Sequence, residues 1–110
     1  MLIDKIEQEV KKVKRRVPKW FREGETQINS LILLKYLELH KEGKPISRNR
    51  LKYECEEFVN FDGNFNQMVN FGEKNHAKVF HIINGKVVLW KPVSEFILFE
   101  YEKDTVPKTV

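Results

Sequence analysis

The sequence predicts a mostly α-helical fold that carries one β-hairpin. Three observations lead there. Asn84-Gly85 stands between two β-prone runs, residues 78–83 and 86–91, and this dipeptide is the strongest short-range hairpin signal. Upstream, apolar residues recur at helical spacing in stretches divided by Gly and Pro. At 110 residues, with 41% hydrophobic and 33% charged residues, the chain suits one domain built on one core.

The elements follow in order. Ile3, Ile6, Val10, Val13 and Val17 are spaced 3-4-3-4, so residues 2–17 form an amphipathic helix. Pro18 is expected to end it, because proline disfavours a helical conformation at the residue before it. The apolar stripe is too short for an isolated coiled coil, so it packs on its own domain or on a second copy. Trp20 and Phe21 then anchor a linker to the core or stack on a partner, the former being preferred. After Gly24, Thr26 is the expected N-cap of a second helix over 27–42. Ile28, Leu31, Ile32, Leu33, Leu34, Tyr36, Leu37 and Leu39 cover most of its circumference, which marks it as the buried central helix. Gly43 and Pro45 stop it.

Ser47 is expected to cap a third helix over 48–58, with Leu51, Cys55, Phe58 and Val59 on one side. Asp62-Gly63 reads as a turn, and Phe65, Met68, Val69 and Phe71 then set a fourth helix over 64–71 that Gly72 closes. In the hairpin, a two-residue turn pairs Ile83 with Lys86, Ile82 with Val87, Phe80 with Leu89 and Val79 with Trp90. Phe80, Ile82, Val87 and Leu89 share the expected core face. Val79, His81, Ile83, Val88 and Trp90 share the other, too apolar to stay wet; the N-terminal helix, residues 94–103 or another chain must cover it. Pro92 ends the second strand, and Ser94-Glu95 can cap a helix through 103, although Phe96-Ile97-Leu98-Phe99 is equally β-prone. The division expected is an N-terminal basic helix and linker over 1–24, a domain over 25–103 and a flexible tail over 104–110.

Charge is unevenly spread. Residues 1–22 hold eight Lys or Arg against Asp4, Glu7 and Glu9, a net +5, while the whole chain is only +4. Such a run favours a polyanion. The candidate phosphate contacts are Lys11, Lys12, Lys14, Arg15, Arg16, Lys19 and Arg22 in this segment, then Arg48, Arg50 and Lys52. The last three crowd the start of the third helix, the wrong end for its dipole, and an external anion would account for them. Lys74, Lys78 and Lys86 extend the set into the hairpin.

Several classes are excluded or disfavoured. No apolar run approaches the roughly 20 residues needed to cross a bilayer. The N-terminal acids do not fit a signal peptide. Cys55 is the single cysteine, which excludes an intrachain disulfide and a Cys-based zinc site, and a reducing cytoplasm is the expected compartment. On an apolar helical face, Cys55 reads as a core residue rather than a nucleophile. His40, His76 and His81 sit in no metal-binding helical motif, the carboxylates are scattered, and no glycine-rich phosphate loop exists. A non-enzyme without a cofactor is expected.

The order helix, Pro45-Ile46-Ser47, helix, helix, Asn-Gly hairpin resembles the winged helix-turn-helix superfamily over about residues 26–91. The resemblance implies a recognition helix at 63–72 entering the DNA major groove, a preceding helix at 48–58 and a wing at 78–91. It adds the N-terminal amphipathic helix as an extra element. Asn64, Asn66, Gln67 and Asn70 are the candidate base readers, because an amide presents the donor and acceptor that match adenine N6 and N7. The function expected is DNA binding, with double-stranded DNA as partner and a homodimer as one possible assembly. A small transcription regulator or the targeting part of a DNA-processing system fits this. The alternative is a protein-interaction or dimerisation module using the N-terminal helix and the outer hairpin face. One continuous basic face joining 11–22, 48–52 and 74–86 favours DNA; an exposed Val79, Ile83, Val88 and Trp90 patch favours protein.

Overall fold

The computed structural model describes residues 2–23, 27–72 and 74–105. In chain order the elements are α1 (Leu2–Glu23), α2 (Ile28–His40), α3 (Arg48–Glu54), α4 (Phe61–Val69), β1 (Phe80–Ile83), β2 (Lys86–Leu89) and α5 (Lys91–Thr105). The mostly helical fold with one antiparallel hairpin is the expected class.

α2 is the hub. It buries Ile32, Leu33, Tyr36, Leu37 and Leu39 and packs against α1, α3 and α4. Its N-cap is Gln27, whose side chain makes no capping bond; Thr26, the expected cap, lies outside the described residues. Gly43 follows the helix at φ 75°, a conformation that favours glycine. α1 and α5 lie side by side and run the same way, with Lys14 over the Phe96 ring and Phe21 against Tyr101. Val13, Val17 and Trp20 on α1 and Val93, Ile97 and Tyr101 on α5 are buried in the shared core.

Pro18 does not end α1, which continues to Glu23. A mid-helix proline costs about 3 kcal/mol. An aromatic side chain such as buried Trp20 removes about 150–250 Å² from water, about 4–6 kcal/mol by area, so packing wins. Trp20 and Phe21 thus anchor the chain as part of the helix, not as a linker.

α3 starts where Ser47 predicts, with the Ser47 hydroxyl accepting from Arg50 N at 3.0 Å. It ends at Glu54 rather than 58. Leu51 and Cys55 are buried and Phe58 packs on the core, but Val59 lies past the helix and is 78% exposed. α4 starts earlier than the sequence suggests. Asn60 adopts a left-handed conformation (φ 55°) and caps it, its side-chain oxygen accepting from Gly63 N. Asp62-Gly63 therefore forms the first helical turn, where an acid suits the dipole. α4 ends at Val69, before Gly72, with Asn70 as its C-cap.

The hairpin has the expected register: Phe80 with Leu89, His81 with Val88, Ile82 with Val87 and Ile83 with Lys86. Asn84 (φ 50°) and Gly85 (φ 77°) both take the positive φ that a type I′ turn requires. Phe80, Val87 and Leu89 are buried, but Ile82, nearer the tip, is 39% exposed. Val79 and Trp90 continue the pairing, Trp90 N donating to Val79 O at 2.8 Å. Both are buried, with Phe71 edge-on to Trp90, so the base of the outer face is covered from within the chain while His81 and Ile83 stay exposed. Val87 N donates to Ile46 O at 2.7 Å and Ser47 bridges Lys86, which ties the stretch before α3 to the hairpin. α5 resolves residues 91–105 as helix, with Pro92 in its first turn, where a missing N–H costs nothing. It runs past the expected boundary at 103; residues 106–110 lie outside the described residues.

Candidate nucleic-acid interface

The basic residues divide by what their nitrogens touch. Glu9, Lys12 and Arg16 lie on one side of α1, next to the Val13 and Val17 stripe. Lys12 Nζ donates to Gly72 O at 2.6 Å, and Arg16 Nη1 donates to Asn75 O at 3.0 Å and to His76 O. The buried Glu9 carboxylate accepts from Lys78 N at 3.0 Å and pairs with Lys12 at 3.3 Å. These contacts fasten α1 to the loop between α4 and β1.

Lys78 belongs to the same clamp. It is only 5% exposed, donates to Val69 O and Phe80 O, and lies over the rings of Phe71 and Trp90. Burial draws its ammonium below the usual lysine pKa, opposed by Glu9. Lys12, Arg16 and Lys78, expected as phosphate contacts, thus each donate to backbone carbonyls within the fold. Lys11, Lys14, Arg15, Lys19 and Arg22 remain exposed or at the rim of α1.

The second basic group meets α4. Arg48 pairs with one Asp62 oxygen at 2.6 Å and Lys52 with the other at 2.9 Å. Hydrogen bonds from Lys52 and then Arg48 hold the Asp62 carboxyl below its usual pKa. Arg50 pairs with Glu54 at 3.1 Å and Glu42 at 3.8 Å. The anions that account for these basic residues are thus internal, although all four pairs stay at the surface. The Arg48 guanidinium also sits 5.5 Å from the Phe65 ring centre, which keeps it against α4.

The amides separate likewise. Phe65 and Met68 face inward and Asn66 outward, as the spacing predicts. Gln67 is half-buried, and Asn70 is exposed with Nδ2 donating to Asn66 O at 2.9 Å. Asn64 has partners within the fold. Its Nδ2 donates to Asn60 O at 2.9 Å, and its Oδ1 lies 2.9 Å from His76 Nε2, so it braces α4 against the loop. Burial, then the nearby Arg16 charge, lowers the His76 pKa, and the neutral ring carries its proton on Nε2, toward Asn64. Lys74 and Lys86 are exposed.

Residues 11–22 meet 72–78 through carbonyls, and 48–52 meets α4 through Asp62. The clamp was missed because its acceptors are backbone carbonyls, which no residue letter announces. The available signal was Glu9, Lys12 and Arg16 flanking the apolar stripe.

Cys55 is buried in the core, and burial pushes its thiol up to about 12. Among the described residues no group of three or more His, Cys, Asp or Glu could hold a metal ion, and no helix is long and apolar enough to cross a membrane. No family model, curated protein or solved structure matches the chain.

Proposed function

We propose that this chain is a non-catalytic DNA-binding module of the winged-helix type, with α4 as the helix offered to the major groove and the hairpin as the wing. It fits a small regulator or the targeting part of a DNA-processing system, working in a reducing cytoplasm. One observation carries the reading: α2, a bridging stretch at Ile46 and Ser47, α3, α4 and the hairpin follow in that order, with Asn66 and Asn70 exposed on the α4 edge. Arg48 and Lys52, held near α4 by Asp62, supply cations beside those amides. Phosphates compete for these exposed pairs at little cost, because surface ion pairs contribute little to stability. Lys74 and Lys86 extend the footprint.

Titration of random duplex DNA at several salt concentrations tests this reading. Arg48, Lys52, Lys74 and Lys86 as four phosphate contacts give a slope of about −3 to −4 in log affinity against log salt. A flat response, or no binding at low salt, ends the proposal. Site selection from random DNA then tests α4. Asn66→Ala costs about 1–3 kcal/mol at a preferred site and little elsewhere.

A second reading has its own observation. Ile83, at 51% exposure, joins Val88, Pro45 and Leu98 in lining an apolar groove between the hairpin and α5. That favours a protein-interaction or dimerisation module. Sedimentation separates the two readings: a concentration-dependent dimer that Ile83→Lys abolishes supports the second.

A further inference from the structure

At the head of α2, α1 and the loop before β1 enclose a cavity of about 280 Å³ lined by Arg16, Lys19, Trp20, Gln27, Ser30 and His76. Its chemistry is one-sided. Among the described residues, Arg16 and Lys19 are the charged residues of this lining. Ser30 is 1% exposed, and its hydroxyl has no hydrogen-bond partner. A buried hydroxyl left unpaired costs about 1–3 kcal/mol, so its retention needs a reason.

The helix behind the cavity adds to the same sign. The α2 N-terminus has no acid in its first turn, and its N-cap residue Gln27 provides no side-chain bond. The positive end of the α2 dipole therefore points there unneutralised by those groups. Arg16 spends one terminal nitrogen on Asn75 O and His76 O, which fixes the guanidinium at the rim with further N–H donors to spare. His76 is fixed in turn by Asn64. Donors thus converge from α1 and from α2. A planar carboxylate has two oxygens to offer such a set, while a tetrahedral phosphate has three or four.

We propose that this cavity binds a small phosphate-bearing molecule, with Arg16 and Lys19 supplying charge and Ser30 supplying a directed hydrogen bond. The volume admits several waters at about 30 Å³ each, and hence a phosphate group with a small substituent. The proposal does not depend on DNA binding, since the Ser30 hydroxyl lies inside the fold.

Trp20 lines the cavity, so its fluorescence in a Trp90→Phe background reports occupancy. Inorganic phosphate and glycerol phosphate are titrated separately against sodium chloride at matched ionic strength. A saturable change with phosphate and not with chloride is expected, and the tighter of the two ligands identifies the source. Ser30→Ala should weaken binding about tenfold, as loss of a hydrogen bond to a charged group does. The same change should leave the ligand-free protein as stable as its parent or more so, because it removes an unpaired hydroxyl. Lys19→Gln should weaken binding too, whereas Lys86→Ala should not. The unsubstituted chain gives an independent measure, its thermal midpoint rising with phosphate but not with matched chloride. A response identical to chloride in both measurements overturns the proposal, as does unchanged affinity in Ser30→Ala and Lys19→Gln. Displacement of bound phosphate by a short DNA duplex overturns the small-molecule assignment and makes the cavity a backbone-phosphate contact.

Discussion

Two clusters of basic residues share a composition and behave oppositely. Lys12, Arg16 and Lys78 donate to carbonyls of the 69–80 region, and Glu9 is buried among them. Arg48, Arg50 and Lys52 face the exposed carboxylates of Asp62, Glu54 and Glu42. A backbone carbonyl inside a fold has nowhere else to find a donor, so the first cluster is fixed. An exposed carboxylate can turn to water, so the second can exchange partners. The acceptor, more than the cation, decides how firmly a charged side chain is held in place.

Lys78→Ala should break the first cluster with the largest effect. It leaves Val69 O and Phe80 O without their donor, at about 2–3 kcal/mol, read as a lower denaturant midpoint at unchanged slope. A variant as stable as the parent would remove the distinction between the clusters. The pH dependence separates them next. His76 has a lower pKa folded than its ordinary 6.5, so between the two values the unfolded chain binds more protons. Stability is full above about 6.5 and falls as pH drops through the folded value. Asp62 is also lowered, from 3.8, so its contribution is present above that value and is lost as pH falls through its folded pKa. Two separate steps in a pH series of denaturation midpoints, the upper one abolished by His76→Asn, are the expected result.

Arg48→Ala should change stability little but lower the DNA salt slope by about one unit. A slope equal to the parent's removes Arg48 from the interface. The smallest effect is expected at Cys55, beneath α3. With its thiol pushed up to about 12 and buried, native protein at pH 8 should resist a small alkylating reagent and label only on unfolding. Fast labelling would show that the α3 region opens as a whole, and not merely that its surface pairs exchange.

Legibility in the sequence followed the range of the interaction. The hairpin register was readable because Asn84-Gly85 and the period-two pattern are local. Ser47 was readable as a cap for the same reason. The α4 start was not, since a left-handed Asn60 serves as its cap and Asp62-Gly63 imitates a turn. Pro18 misled because Trp20, beyond it, is held by distant parts of the chain. At the interface, Asn66 was placed outward by helical spacing alone, whereas the engagement of Asn64 with His76 needed the loop to fold back.

The clamp on α1 also orders events in time. Lys12, Arg16 and Glu9 reach partners 60, 59 and 69 residues later in the chain, and the α5 helix beside them comes later still. A ribosome delivers α1 first, yet the groups that fasten it emerge only when most of the chain has been translated. Closing so long a loop is slow compared with forming a local helix or hairpin. The nascent chain therefore carries an unfastened, basic, amphipathic segment until residues 72–78 have emerged, and the release of α5 from the exit tunnel completes its burial.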